Sequence, residues 1–409
     1  MKRILLPVAP LLIGVAILLT GQGLQGTLLP VRANLEGFST LSIGLMGGAY
    51  FFGFTLGCLR GSTLVRKVGH IRVFAAMTAA ASAAPLLHGL WQEVWLWWLL
   101  RFITGYCFAV LYVVIESWLN EQSTNETRGA VFSAYTLITL TVLAAGQQML
   151  LLYDPQKMAL FAIASAIVSI AAIPVVLSVA PSPVHSETVV RLDLRRLMVI
   201  SPTGAIGCLA AGLANGSFWA LAPVFVSGYS TDVSLAAWFM TAAVLGGAAG
   251  QWPLGLWSDR VDRRWVLAFT ALVGLGSGLV IWLFFAQVST LNLMLMSALW
   301  GAVAFPVYAV SVAAANDNAT PGEYVMLSSG LLLMYGMGAI AGPFIASLLM
   351  GIAGPGGLYL FGAVVHFALL GFVLLRIMRR SPVPEEEQLP FADSLASTQT
   401  ASHIYEDEL

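Results

Sequence analysis

The stretch GQWPLGLWSDRVDRRWVL, residues 250–267, joins two apolar runs through a handful of charges. LAAWFMTAAVLGGAA precedes it and AFTALVGLGSGLVIWLFF follows it. With its share of the quoted stretch, each run reaches the roughly 20 residues that a helix needs to cross a hydrocarbon core. Between them, Asp259, Arg260, Asp262, Arg263 and Arg264 crowd into a short polar turn. A glycine at 255 allows close helix contact there. The Asp and Arg side chains are suited to cap helix ends and to pair across an interface.

The same pattern recurs along the chain. Twelve apolar runs lie at about 4–29, 39–62, 71–90, 95–118, 130–151, 157–180, 203–227, 234–256, 265–286, 290–314, 325–350 and 355–377. The 409 residues are 58% hydrophobic and only 10% charged, with mean hydropathy +0.85. Soluble domains carry roughly 25% charged residues, so the composition is that of a polytopic membrane protein. The alternation of a membrane β-barrel is absent, and the expected fold is all-α. The first run is too long for a signal peptide, and no small-residue cleavage site follows it. Net charge is −1, which excludes a nucleic-acid partner drawn by bulk charge. Cys58, Cys107 and Cys208 stand singly, so neither a disulfide framework nor a thiolate metal site is expected.

Lys and Arg set the expected orientation. Sixteen of the nineteen fall on the side of the two termini, Arg32 and Lys157 fall on the other, and Arg101 lies inside the fourth run. This bias places both termini in the cytoplasm of a bacterial cell, with the protein multi-pass in its inner membrane. The interior loop from Ala180 to Pro202 divides the runs six and six. The expected domains are therefore a bundle over 1–180, a loop over 181–202, a second bundle over 203–378 and a disordered acidic tail over 379–409. The halves align at an offset of 196, which pairs Gly105 with Gly301, Tyr112 with Tyr308, Asn120 with Asn316 and Glu121 with Asp317. Two pseudo-symmetric six-helix bundles are the build of many secondary transporters, whose substrate site lies near the midplane.

Gly255, Asp259, Arg260, Arg263 and Arg264 stand at the spacing of the major facilitator signature G-x-x-x-D-R-x-G-R-R, with Asp262 in place of its second glycine. The first-half turn, STLVRKVGHIR, keeps Gly69 but puts Arg66 where an aspartate is usual. RFITG, from Arg101, looks like the fourth-helix signature of the same superfamily. Together with VVIESWLN, these motifs make nearly the whole membrane region resemble the YcaD-like branch of the major facilitator superfamily. That resemblance implies a twelve-helix transporter with gating roles for Arg66, Gly69, Gly255, Asp259, Arg260 and Arg263. The fifth run lacks the glycine-proline motif of drug/proton antiporters.

Candidate working residues are the polar groups that interrupt apolar runs. Arg101 and Glu116 lie about 22 Å apart along one helix and about 60° apart around it, so they line one face without touching. Intramembrane charges are functional candidates by default. Arg101 is suited to bind a substrate anion or to modulate a proton site, and equally to anchor neighbouring helices. Glu116 has two readings: a gate partner for the unusual basic turn at Arg66, narrowly ahead, and a proton site able to gain and lose its proton near working pH. Gln22 and Gln25 in the first run, Asn215 and Trp219 in the seventh, and the paired Tyr112 and Tyr308 could orient a polar solute or bond helix to helix. His88 and His366 read as structural, and the scattered methionines as packing. No phosphate-cradling loop, nucleophile-base arrangement or zinc spacing appears. The sequence thus predicts a gradient-driven transporter of a small organic solute, monomeric and proton-coupled, without cofactor or enzymatic activity. A receptor or assembly factor that keeps the fold is the alternative.

Overall fold

The computed structural model describes residues 8–177, 193–320 and 323–379, together with Gln388 and Phe391. It is all-helical. Helices α1 (Ala9–Leu35), α2 (Thr40–Val68), α3 (His70–Leu90), α4 (Val94–Glu121), α5 (Asn125–Gln148) and α6 (Ala159–Val176) make up the first half. A short helix, Leu194–Ile200, precedes α7 (Pro202–Ser227), α8 (Ser234–Ser258), α9 (Arg263–Phe284), α10 (Thr290–Asn316, broken at Phe305), α11 (Tyr324–Ala353) and α12 (Gly357–Arg379). Among the described residues, eleven helices are long and apolar enough to cross a membrane. The expected twelfth, α8, is 25 residues long but is diluted by tryptophan, glycine and Gln251, and falls outside that set. Trp252, Leu291, Ile352 and Phe367 are among the large apolar side chains exposed on the helices, an outer surface suited to lipid.

The chain forms two compact units. The first holds α1–α6 with Val233–Thr241 from the start of α8; the second holds the rest. In the first unit, backbone contact through glycine sets the helix spacing. A Cβ added at Gly53 of α2 would strike the Phe102 carbonyl of α4, and one at Gly105 of α4 would strike the Tyr50 carbonyl of α2. Gly23 of α1 and Gly146 of α5 meet the backbones of Leu143 and Thr20 in the same way. Small residues let membrane helices pack where no hydrophobic effect drives them together. Gln148 Nε2 donates to Thr241 Oγ1 (2.7 Å) and to the Ala237 carbonyl (3.2 Å), and Thr241 Oγ1 donates to Gln147 Oε1 (3.2 Å). Those bonds tie the start of α8 to the end of α5.

The second unit repeats the device. Gly212 and Gly216 of α7 press on the backbone of α11 at Tyr335 and Ala339, and Gly301 of α10 presses on the Ala243 carbonyl of α8. The aligned glycines 105 and 301 therefore do the same work, each seating the first part of its helix on a neighbour. His366 fills the notch at Gly274, its Nδ1 lies 2.8 Å from the Gly362 carbonyl, and its ring is edge-on to Trp300. His88 is held likewise by the Ala84 carbonyl and the Trp97 ring. Both histidines are packing residues here.

Two sequence expectations change. Arg32 is not in a loop: it is buried in the last turn of α1, where it donates to the Pro155 carbonyl (3.1 Å) and pairs with Glu36 (2.6 Å). The loop expected over 181–202 contains a helix, because Asp193 caps it by accepting from Arg196 N (2.9 Å) and Leu197 is fully buried against α7 and α11. Residues 181–192 lie outside the described residues. The tail expected to be disordered over 379–409 also lies outside them, except Arg379, Gln388 and Phe391, and Phe391 is buried.

Gly53→Ala should lower thermal stability in detergent by about 1–3 kcal/mol, the usual cost of overpacking. Gly26→Ala, where an added Cβ meets nothing within 4 Å, should leave the melting temperature unchanged or raise it. Equal effects would remove the backbone contact as the cause. The short helix gives a pH prediction. A hydrogen bond from Thr320 Oγ1 (2.6 Å), and then Arg196 (2.6 Å), hold the Glu323 carboxyl down to about 2, against about 4.3 for an ordinary glutamate. A depressed carboxyl contributes its stabilisation above the unfolded value and loses it as pH falls toward the folded one. Hydrogen-exchange protection of 194–200, corrected for intrinsic rates, should hold from pH 8 to 5 and weaken only below about 4. Glu323→Gln should weaken it from pH 8 to 5 and remove the further loss below about pH 4.

Candidate functional site

The polar interior of the first unit is built on the α2–α4 contact. The two helices run parallel, and the spacing Tyr50, Gly53, Gly57, Gly61 puts one stripe of α2 against α4. Arg101, one helical turn before Gly105, is thereby brought onto the Tyr50 ring, with its guanidinium carbon 4.1 Å from the ring centroid. A cation over an aromatic face contributes about 0.5–2 kcal/mol, more when desolvated. The Arg101 Nε makes no hydrogen bond among the described residues.

From Tyr50 the network passes to α1. Gln22 Nε2 donates to the Tyr50 hydroxyl (3.0 Å), and Gln22 Oε1 accepts from the Tyr112 hydroxyl of α4 (2.9 Å). One amide thus links two phenols from two helices, with both of its polar atoms used. Phe54 closes the set, its ring 6.2 Å from that of Tyr50 and 6.0 Å from that of Tyr112. Gln22 and Gly26 share a stripe of α1, and Gly26 borders open space, so the network sits beside room rather than inside solid packing.

One turn beyond Tyr112 lies Glu116. It is 8% exposed and five residues short of the end of α4, so it is a true interior carboxylate rather than the onset of a loop. The hydroxyl of Tyr135 on α5 donates to its Oε1 at 3.3 Å. Arg66 is exposed near the end of α2, and among the described residues no ion pair joins it to Glu116. The predicted Arg66–Glu116 gate pair is absent from this structure. Sequence alignment of the halves supplies the reason: the acid that serves the second-half turn, Asp317, aligns with Glu121 and not with Glu116.

The other candidates fall as follows. Gln25 is buried in α1 with neither amide atom hydrogen-bonded among the described residues, and Asn215 Oδ1 on α7 is likewise unmatched. Trp219 stacks on Phe305 at the break in α10, with centroids 5.5 Å apart and planes 16° apart. Tyr308 packs edge-on to Tyr335 at 4.9 Å. Gln22, Arg101 and Tyr112 are brought together, with Glu116 next in line. Gln25 stands apart from them. Tyr50, Phe54 and Tyr135 were missed by sequence reasoning. The glycine stripe that continues from Tyr50 was a usable signal for it, whereas Tyr135 offered none.

At the turns, Gly69 has φ +94° and ψ 150°, a conformation open to glycine alone. In the second unit Arg263 is 2% exposed and donates through Nε to Asp317 Oδ2 (2.6 Å) and through Nη1 to Ser258 Oγ (3.2 Å). Its contact with Asp259 Oδ1 is longer, 3.5 Å. Asp262, which replaces the signature's second glycine, caps α9 by accepting from Arg264 N (3.0 Å) and pairs with the Arg264 guanidinium (2.6 Å). Arg260 is exposed. No group of three or more metal-ligating side chains occurs among the described residues.

The family model of the Major Facilitator Superfamily matches residues 11–202 and 204–406, and the chain belongs to that superfamily, in its YcaD-like branch. An uncharacterised transporter of Enterobacter sp. (strain 638) is 28% identical over 380 residues, covering 92% of this chain and 97% of that one. The YcaD transporter of Escherichia fergusonii, also uncharacterised, is 26% identical over 379 residues, with coverage of 92% and 97%. Among solved structures, the nucleoside transporter NupG matches with TM-score 0.73 at 13% identity, over 93% of this chain and all of that one. A bacterial homologue of the human lysosomal transporter Spinster matches with TM-score 0.73 at 14% identity, over 94% and 98%. These structures show the fold alone. The chain is a multi-pass membrane transporter and not an enzyme.

If the Gln22 amide couples the two phenols, Tyr50→Phe and Gln22→Leu should be non-additive. A thermal-stability double-mutant cycle should give an interaction of about 0.5–3 kcal/mol. Additivity within error would dissolve the network.

Proposed function

We propose that this protein is a secondary active transporter of the bacterial cytoplasmic membrane that moves a small organic solute by alternating access, coupled to protons. The observation that carries this reading is the polar chain from Arg101 through Tyr50, Gln22 and Tyr112, with Glu116 and Tyr135 one turn further on, inside helices otherwise built of apolar residues. Buried polarity on that scale in membrane helices marks substrate and ion paths. In this reading the bundles at 1–180 and 203–378 are the moving bodies, twelve helices span the bilayer and the basic ends face the cytoplasm. The working unit is a monomer.

The roles divide by chemistry. Arg101, held over the Tyr50 ring, presents a positive charge beside an unmatched Nε. The phenols and the Gln22 amide supply directed donors and acceptors for a polar solute. Glu116 lies inside α4 with the Tyr135 phenol donating to it, which supports the proton-site reading beside the gate reading. Asn215, Trp219 and Tyr308 are the second half's own candidates for contact with a polar solute. Gly69, Gly255, Asp259 and Arg263 would shape the turns that gate access, with Arg66 and Arg260 as exposed charges on those turns.

The test begins with solutes that differ in abundance between cells with and without the gene. Purified protein in liposomes under an imposed pH gradient should move at least one of them. Glu116→Gln should lower that uptake roughly tenfold or more, equivalent to about 1.4 kcal/mol, and flatten its pH dependence. Uptake that keeps its pH dependence in this variant would falsify the proton role. If no candidate solute moves and none shifts the melting temperature, the transport reading itself fails and a receptor role replaces it.

A further inference from the structure

The turn after α8 has an occupant from far along the chain. Phe391 lies 132 residues beyond Asp259, yet its backbone N–H donates to Asp259 Oδ1 at 2.8 Å and the residue is only 4% exposed. Its ring fills the notch at Gly255. The three atoms nearest to a Cβ added there all belong to that ring, and the added carbon would collide with them. The signature glycine, expected to seat one helix on another, instead seats an aromatic side chain from the C-terminal segment.

The carboxylate is shared. Arg263 Nη1 reaches Asp259 Oδ1 at 3.5 Å, while the same guanidinium donates to Asp317 at 2.6 Å and to Ser258 at 3.2 Å. A carboxylate whose charged partner lies at that distance keeps acceptor capacity for a backbone N–H. An apolar ring in a glycine notch and one backbone hydrogen bond to a carboxylate together make a short peptide-binding site.

We infer that Gly255 and Asp259 form a docking site for the chain's own C-terminal segment, anchored by the Phe391 ring and its backbone N–H. A turn whose notch and acceptor are both filled cannot rearrange without carrying or releasing Phe391. Docking therefore bears on any movement of α8 against α9, whatever solute the protein moves.

Hydrogen exchange on the full-length protein tests docking without reference to transport. The peptide spanning Phe391 should exchange roughly tenfold or more slowly than an unstructured chain, because its N–H must open locally before it exchanges. Asp259→Ala, which removes the acceptor, and Gly255→Leu, which fills the notch, should each return it to the unstructured rate. Phe391→Ala should speed exchange in the turn at 255–260. Asp259→Ala and Phe391→Ala remove atoms and add none, so the test stays decisive if Gly255→Leu does not fold. Unprotected exchange at Phe391 in the parent overturns the inference, and so does protection that survives Asp259→Ala.

Discussion

Backbone-to-backbone contact through glycine is the constraint on which the rest of the structure depends. In water, a core of large apolar side chains would hold helices together; in a bilayer the surrounding tails are as apolar as leucine, and association rests on close packing and hydrogen bonds. Gly53 against Phe102 and Gly105 against Tyr50 bring α2 and α4 to a separation that no side chain could share. That approach fixes the register of the two helices. Register in turn places the Arg101 guanidinium over the Tyr50 ring and leaves Tyr112 within reach of Gln22. A wider contact would leave the same residues in the same order and unable to meet.

The polar groups divide into two kinds by what satisfies them. Gln22, Tyr50 and Tyr112 satisfy one another across three helices, and Gln147 and Gln148 are taken up by Thr241 and the Ala237 carbonyl. Gln25 and Asn215 are buried without such partners among the described residues. A buried amide left unmatched costs more than a made hydrogen bond returns, so a bound water or solute has something to offer at each of them. Glu116 stands between the kinds: interior, with the Tyr135 phenol donating to it, and next to Ser117, which bonds His70 of the basic turn.

The two signature turns also differ in mechanism. The first depends on a backbone conformation, Gly69 at positive φ. The second depends on charge: Arg263 buried on Asp317, Asp262 capping α9, and Asp259 shared between Arg263 and the Phe391 N–H. The replacement of the second signature glycine by Asp262 is explained by that cap, since the first N–H groups of a helix need an acceptor.

The sequence by itself determined the class of the protein, because a bilayer imposes its demands residue by residue: length, apolarity, the side on which Lys and Arg collect, and the spacing of Gly255, Asp259 and Arg263. It also singled out Gln22, Arg101, Tyr112 and Glu116, since polar groups in apolar runs stand out without any partner being known. Only the tertiary structure decided which of them meet. Tyr50 and Tyr135 looked like ordinary aromatics of membrane helices until packing set one under Arg101 and the other beside Glu116. Arg66 looked like the partner of Glu116 because both lie toward one end of the bundle, yet no ion pair forms between them. Phe391 could not be placed at all, because a contact 132 residues distant leaves no periodicity in the chain. Composition and spacing are local quantities, and the site is made of contacts between helices that the sequence does not order in space.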